Sequence, residues 1–335
     1  MILTKCDINE INLDLLVESK IQSGILSEIL FIVPTNRKIR SLKRELISAS
    51  PNKVAEGINL ETIGTFAVKL LMGFEGRTGL ISDEAAIVLL KQSFQETKLK
   101  YFSNYRDEIP FGTLERVKNV ISEYKRHRLT PELLMKESIK LSGSEKNKAE
   151  DISNIYNRYQ SKFDELGAME IGDVYNELLN LNGKSFSKRF LEYFPDVNTI
   201  IINGFDEFTI PEIEIINSSA EINNVDLYLN FDYYKYNPVI FSHLDSCYNK
   251  LEEKGFRVIN DISIVEQTRF IENVKQNLFS IRKTNKTVHF KSQITEITAF
   301  NRENEISLIA KEIKKLIVDN NIAPHKICVA FNLIK

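Results

Sequence analysis

Cysteine and histidine are scarce in this sequence, and their scarcity removes whole classes of chemistry. The three cysteines, Cys6, Cys247 and Cys328, lie far apart with no C-x-x-C pair, and the four histidines are equally dispersed. A structural zinc or iron–sulfur site therefore has no support within this span. No apolar run approaches the roughly 18 residues needed to cross a bilayer, and Asp7 and Glu10 break any signal-peptide pattern near the amino terminus. The expectation is a cytoplasmic protein without membrane contact. A dominant charge is missing too: 44 basic against 46 acidic side chains leave a net charge of −2. No overall field draws this chain to nucleic acid, so such binding has to come from a local patch.

What is present is ordinary globular material, 43% hydrophobic and 27% charged, in a chain longer than one core usually organises. Ile29 to Val33 reads as a strand closed by Pro34 and leads into a helix with apolar Ile39, Leu42, Leu46 and Ile47. A second strand near Ile58 to Ile63 leads into a helix carrying Phe66, Val68, Leu70 and Leu71. This alternation favours a parallel sheet with helices on its faces. Gly73 to Gly79 breaks it, and the loose glycine spacing, with no Lys-[Ser/Thr] after it, reads as a connecting loop.

From Ser82 to about Phe194 the period is helical. Ser82-Asp83-Glu84 caps one helix and Thr130-Pro131-Glu132 opens another, while Ser142 to Lys148 reads as a mobile loop. Strands resume at Thr199 to Asn203 and Val225 to Leu229, with a helix from Pro211 to Ile222 between them. The unbroken Ile200-Ile201-Ile202 run marks a strand buried on both faces. Beyond Val288 the pattern predicts a strand at Ile294 to Phe300, a helix from Glu303 to Asp319 and a strand at Ile327 to Phe331. The expected domains are a first α/β part at 1–81, a helical insertion at 82–195, a second α/β part at 196–287, and the start of another α/β domain at 288–335 in what looks like part of a longer protein.

Phe31 to Leu46, FIVPTNRKIRSLKREL, resembles the segment of superfamily 1 helicases related to UvrD that touches single-stranded DNA. Glu61 to Leu71, ETIGTFAVKLL, is similar to the family's next DNA-contacting motif, Thr-x-x-[Ser/Thr]-Phe, through Thr62, Thr65 and Phe66. With Glu123 to Leu134, Tyr156 to Leu179 and Glu305 to Ile317 in the same order, the chain resembles AddB-type components of bacterial helicase-nucleases over nearly its whole length. The resemblance implies a parallel, P-loop-NTPase-like (RecA-like) sheet with a large all-helical insertion and the start of a second α/β domain. It further implies double-strand-break repair and recombination as context, with DNA, single-stranded or as duplex ends, and an AddA-type subunit as partners. In such proteins a PD-(D/E)XK exonuclease domain follows the helicase-like part. Mg2+ and an iron–sulfur cluster would belong to that longer protein, and no cofactor to this span.

The chemistry turns on departures from that pattern. The region corresponding to the phosphate loop, Cys6 to Asn12, has neither glycine nor a Gly-Lys pair. Where the family carries its Asp-Glu pair stands Asn203-Gly204, with Asp206 and Glu207 arriving late. Where it carries Gly-Asp-x-x-Gln stands Asn230-Phe231-Asp232-Tyr233-Tyr234. Losing one transition-state contact costs on the order of 3 kcal/mol, so a degenerate nucleotide site without ATP hydrolysis is expected. Asp206 and Glu207 read either as a displaced pair or, better, as supports of the turn before Pro211. The acidic-x-Lys triplets Glu123-Tyr124-Lys125 and Glu312-Ile313-Lys314 fall in helical patterns, not on the strands a nuclease needs, and Pro195-Asp196 has no partner triplet. No catalytic residue and no metal ligand is expected here. Thr35, Asn36 and Arg37, Thr62, Thr65 and Phe66, and Lys125, Arg126 and Arg128 are the candidate DNA contacts. Phe66 also suits the core, which is the better reading, and the basic runs also suit solvated faces. A scaffold that keeps the fold without touching DNA, and an atypical ATP-binding protein, are the rival readings.

Overall fold

The computed structural model describes residues 1–71, 79–105, 108–262, 268–279 and 294–330. The chain falls into two compact units, Met1–Glu266 and Gln267–Lys335.

The strands of the first unit are β1 (Ile2–Thr4), β2 (Glu10–Ile11), β3 (Ile29–Ile32), β4 (Asn59–Glu61), β5 (Gly79–Leu80), β6 (Ala168–Met169), β7 (Thr199–Asn203), β8 (Asp226–Asn230) and β9 (Arg257–Asp261). Its helices are α1 (Leu13–Ser23), α2 (Asn36–Ala49), α3 (Ile63–Leu71), α4 (Asp83–Glu96), α5 (Phe111–Arg126), α6 (Pro131–Ser138), α7 (Gly143–Leu166), α8 (Ile171–Leu179), α9 (Gly183–Tyr193), α10 (Ile210–Ala220), α11 (Pro238–Phe241) and α12 (Asp245–Glu253).

Among the described residues the central sheet has seven strands in the order β2-β9-β1-β8-β7-β3-β4. The block β8-β7-β3-β4 is parallel. Its inner strands are apolar throughout because both faces are covered. Phe31 and Ile201 look towards α1 and α2, whereas Leu30, Ile32, Ile200 and Ile202 join Phe66, Leu178, Phe190 and Ile216 on the other face. Each fully buried isoleucine contributes about 1.5–3 kcal/mol against exposure.

Connections leave β3 towards β4 and β7 towards β8, in opposite directions, with α2 and α10 on opposite faces. The sheet is thus doubly wound, and its switch point lies between β3 and β7. Ligands of open α/β sheets bind at such points, beyond the carboxyl ends of the strands.

A second core, built from Leu90, Phe94, Ile121, Tyr159 and Phe163, holds α4, α5 and α7 together. Helices α8 and α9 instead pack on the sheet through Val174, Tyr175, Leu178, Phe186 and Phe190, so the sheet's own helical layer begins inside the span read as insertion. Ser82 and Thr130 cap α4 and α6 as expected. The loop expected at Ser142 to Lys148 is instead the first turns of α7. Ser142 stands at the N-cap with Glu145 in the first turn, and Lys146 pairs with Glu150 at 3.8 Å; a capping signature lay hidden in glycine- and serine-rich composition.

The second unit contains α13 (Thr268–Asn277) and α14 (Arg302–Val318). The strands expected at Ile294 to Phe300 and Ile327 to Phe331 are not strands where they are described. A stretch rich in β-branched and apolar residues makes a strand only beside a neighbouring strand that takes up its backbone groups, and Ile294, Phe300 and Val329 stay exposed. The boundary expected between residues 287 and 288, and Gly73 and Gly76 of the connecting loop, lie outside the described residues.

Candidate nucleic-acid interface and switch-point cleft

Because β3, β4, β7 and β8 run in parallel, their carboxyl ends share one sheet edge. After β3, Thr35 caps α2, its hydroxyl accepting from the Lys38 N–H at 3.2 Å. Thr35, Asn36 and Arg37 are exposed there. Below them Arg37, Arg40, Lys43, Arg44 and Ile47 line one shallow groove along the helix, at the spacing that stacks side chains on one face.

After β4, Thr62 and Thr65 bond each other reciprocally: the Thr62 N–H donates to Thr65 Oγ1 at 2.9 Å and the Thr65 N–H to Thr62 Oγ1 at 3.1 Å. The Thr-x-x-Thr spacing is thus a capping arrangement for α3. Phe66 is completely buried, its ring 5.9 Å from that of Phe194 and 6.2 Å from that of Phe190. It anchors α3 in the core and is not presented to a base.

The helical layer adds to this edge. A Cβ on Gly64 would stand 3.2 Å from Ile171 Cδ1, and one on Gly172 would stand 2.6 Å from Lys125 Cβ. The starts of α3 and α8 and the end of α5 therefore meet, which carries Arg126 and Arg128 towards Thr62 and Thr65. Arg126 and Arg128 are exposed, but Lys125 is only 1% exposed. Its ammonium lies 2.9 Å from Glu170 Oε2 and 2.9 Å from Asp173 Oδ2, over the rings of Phe163 and Tyr159 at 4.5 and 5.2 Å. The Tyr159 hydroxyl donates to Glu170 Oε1 at 2.9 Å. A lysine so enclosed is a cornerstone between α5 and α8, and its place in the basic run is corrected accordingly.

At β7 and β8 the edge changes character. Asn203 and Gly204 are exposed, and the Asn230 amide donates to Asn203 Oδ1 at 3.4 Å, where the resemblance puts carboxylates. Gly204 adopts φ +85° with Pro34 Cδ 3.7 Å from where a Cβ would stand, a turn that only glycine enters without strain. Asp206 and Glu207 are exposed in the following loop, and the cap of α10 is made instead by Thr209 with Glu212, whose Oε2 accepts from the Thr209 N–H at 2.8 Å.

The region matched to the phosphate loop departs further than its composition shows. β1 runs antiparallel to β8, pairing Ile2 with Asn230 and Leu3 with Leu229, so it leads away from the switch-point edge. Cys6 lies at the opposite edge, Sγ to Asp226 Oδ1 at 3.3 Å, and burial pushes its thiol pKa up. The chain returns as β2 on the far side of β9, and α1 then starts near the switch point. There Asn12 Oδ1 accepts from the Leu15 N–H at 2.9 Å and Asp14 occupies the first turn, so cap and carboxylate already answer the helix dipole. A Gly-Lys-Ser run does occur, at Gly183 to Ser185. It follows helix α8, not a strand, and Asn182 Oδ1 takes the Ser185 N–H at 2.8 Å.

Between α1 and α2, over the carboxyl ends of β3, β7, β8 and β9, lies a cleft of about 470 Å³. Leu13, Val17, Phe31, Val33, Leu42 and Ile201 make its apolar floor. Asp14, Glu18, Glu45 and Asp261 bring four carboxylates to it against the single Lys38. These acids escape a reading along the sequence because they come from α1, α2 and β9, which lie far apart in the chain. The loop after β8 is a second feature not singled out from the sequence: there exposed Tyr236 stands beside Tyr234 with ring centroids 5.6 Å apart and Lys235 between them in sequence. The close run of three tyrosines from Tyr233 to Tyr236 was the available signal. Among the described residues no three His, Cys, Asp or Glu side chains gather as metal ligands, and no helix is long and apolar enough to cross a membrane.

The family profile described as "ADDB, N-terminal" matches residues 13–278. The chain belongs to this family. Curated AddB relatives include the B component of the ATP-dependent helicase/deoxyribonuclease of Bacillus thuringiensis (strain Al Hakam), 24% identical over 326 residues, covering 90% of this chain and 27% of that one. The protein of the same name from Listeria monocytogenes serotype 4a (strain HCC23) is 26% identical over 285 residues, covering 78% of this chain and 23% of the relative. That from Bacillus anthracis is 22% identical over 329 residues, with 90% and 27% covered. The chain therefore spans about a quarter of the length of these AddB proteins.

Proposed function

We propose that this AddB-type chain is a helicase-like module, on a RecA-like frame, that has lost nucleotide hydrolysis and binds single-stranded DNA as part of a cytoplasmic helicase-nuclease in double-strand-break repair and recombination. A motor subunit of the AddA type is its expected partner, and a nuclease domain and its Mg2+ belong to the longer protein. One observation carries the DNA reading. The exposed cations Arg37, Arg40, Lys43 and Arg44 descend one face of α2 from the edge where Thr35, Asn36, Thr62 and Thr65 present hydroxyls and an amide. Cations with small polar donors at a sheet edge suit phosphate and sugar contacts, and the Tyr234–Tyr236 pair in the loop after β8 offers aromatic faces for bases. Loss of hydrolysis is supported by the reversed β1, the capped start of α1 and the amide pair at Asn203 and Asn230, which leave the transferring phosphate no cradle.

Titrating a labelled single-stranded oligonucleotide at several salt concentrations tests the reading. Each phosphate neutralised contributes about 0.7 to the slope of log affinity against log salt. Removing Arg37, Arg40 and Arg44 together is expected to lower that slope by about 2 and the affinity by at least about tenfold. No binding at low salt would sink the proposal. Phosphate release from ATP is expected at background; turnover abolished by Asp206→Ala would overturn the hydrolysis half.

A further inference from the structure

The switch-point cleft is positioned as a ligand site, yet its chemistry opposes the nucleotide such a position ordinarily takes. Four carboxylates, Asp14, Glu18, Glu45 and Asp261, meet one ammonium at its walls. The first turn of α1, the natural anion cradle, carries its own cap and Asp14. A triphosphate entering here meets like charge on both α1 and α2, each pair costing about 1 kcal/mol at 4 Å even in bulk water. A cation meets the reverse.

The floor narrows the choice among cations. Leu13, Phe31 and Ile201 are buried members of the core on the sheet face covered by α1 and α2, while Val17 and Leu42 are half-covered beside them. A bare metal ion or a hydrated polyamine leaves that apolar floor wet. An arginine- or lysine-bearing protein segment with an apolar anchor covers the floor with its hydrocarbon and keeps its charged heads at the acidic rim. The volume, about 470 Å³, falls in the range of roughly 300–1,000 Å³ typical of occupied pockets.

We infer that the switch-point cleft between α1 and α2 is a docking pocket for a basic, apolar-anchored segment of a protein partner, the former nucleotide position turned to partner recognition. This role is independent of DNA binding, because the cleft uses Lys38, Leu42, Glu45 and Ala49 of α2 whereas the DNA groove uses Arg37, Arg40, Lys43, Arg44 and Ile47.

A labelled amphipathic peptide of leucine and arginine serves as probe, the same peptide with glutamate for arginine as control, and MgATP as competitor. Saturable, salt-sensitive binding of the arginine peptide is expected, with hydrogen-exchange protection in α1 and α2. Glu18→Gln combined with Glu45→Gln is expected to weaken it about tenfold or more, since complementary charges at a rim are the selecting feature, while leaving single-stranded DNA affinity unchanged or tighter. Both glutamates are exposed, and a thermal melt checks that the variant folds. Asp14→Asn, a single exposed change in the first turn of α1, gives the same reading independently. Equal binding to wild type and variants, protection confined to other elements, binding of the glutamate peptide, or displacement by MgATP would each overturn the assignment.

Discussion

The basic run of α2, from Arg37 to Arg44, and the run ending α5, from Lys125 to Arg128, both concentrate cations, yet the fold uses them differently. Along α2 the cations Arg37, Arg40, Lys43 and Arg44 share one open face. At the end of α5 the chain turns at Arg128, whose φ is +57°, so the run spreads in different directions. Lys125 points inwards to Glu170 and Asp173, and only Arg126, His127 and Arg128 stay outside. The difference teaches that helix phase, not the number of cations, separates a surface for phosphate from a structural ion network.

The largest effect that sharpens this contrast is on stability. Lys125→Met leaves two carboxylates enclosed without their cation, and breaking such a buried pair costs about 3–5 kcal/mol. Denaturant unfolding of the purified protein measures it. The salt slope of DNA binding is expected to stay as in wild type wherever the variant is folded. A stability loss below about 1 kcal/mol would return Lys125 to the ordinary surface lysines.

Next in size is the effect on DNA itself. Arg126→Ala with Arg128→Ala is expected to change the salt slope by about 1 or less, against about 2 for the three arginines of α2. The reason is geometric: α2 presents its cations in one row from the sheet edge, whereas Arg126 and Arg128 reach that edge only through the α5–α8 contact at Gly172 and the α8–α3 contact at Gly64. Equal slopes from both variants would erase the distinction between the two runs.

Much of the frame was legible before the fold was known. The Ile200-Ile201-Ile202 run and Ile29 to Ile32 gave parallel inner strands, since both faces of such strands are apolar. Ser82 and Thr130-Pro131 marked helix starts through capping chemistry that acts over three residues. What depends on partners far away in sequence was not legible. No strand is read before Ile29, and only the pairing with Leu229 and Asn230 reveals both β1 and its reversed direction. The second unit shows the converse, with a β-branched and aromatic stretch at Ile294 to Phe300 and no neighbouring strand to complete it among the described residues. Lys125 was misplaced because its partners, Glu170 and Asp173, lie 45 and 48 positions later (170 − 125 and 173 − 125). The acidic cleft was invisible for the same reason, its carboxylates coming from α1, α2 and β9.

The smallest effect at neutral pH, where it is nil, comes from the tyrosines behind the second run. Burial, reinforced by the negative charge of Glu170 and Asp173, pushes the phenols of Tyr156 and Tyr159 well above their ordinary range. Below about pH 10 both folded and unfolded chains keep these protons, so the stabilisation is fully present. As pH rises past that value the unfolded chain ionises first while the folded chain holds its protons. Stability therefore falls with rising pH, by about 1.4 kcal/mol per pH unit for each such tyrosine. Denaturant midpoints measured between neutrality and strong alkali are expected to show this descending limb. Tyr159→Phe is expected to make it shallower while Arg37→Ala leaves it unchanged, because Arg37 stands exposed at the start of α2. An unaltered limb in Tyr159→Phe would mean that the Tyr159 proton is not held by Glu170, and the enclosed network around Lys125 would lose the feature that distinguishes it from the open row on α2.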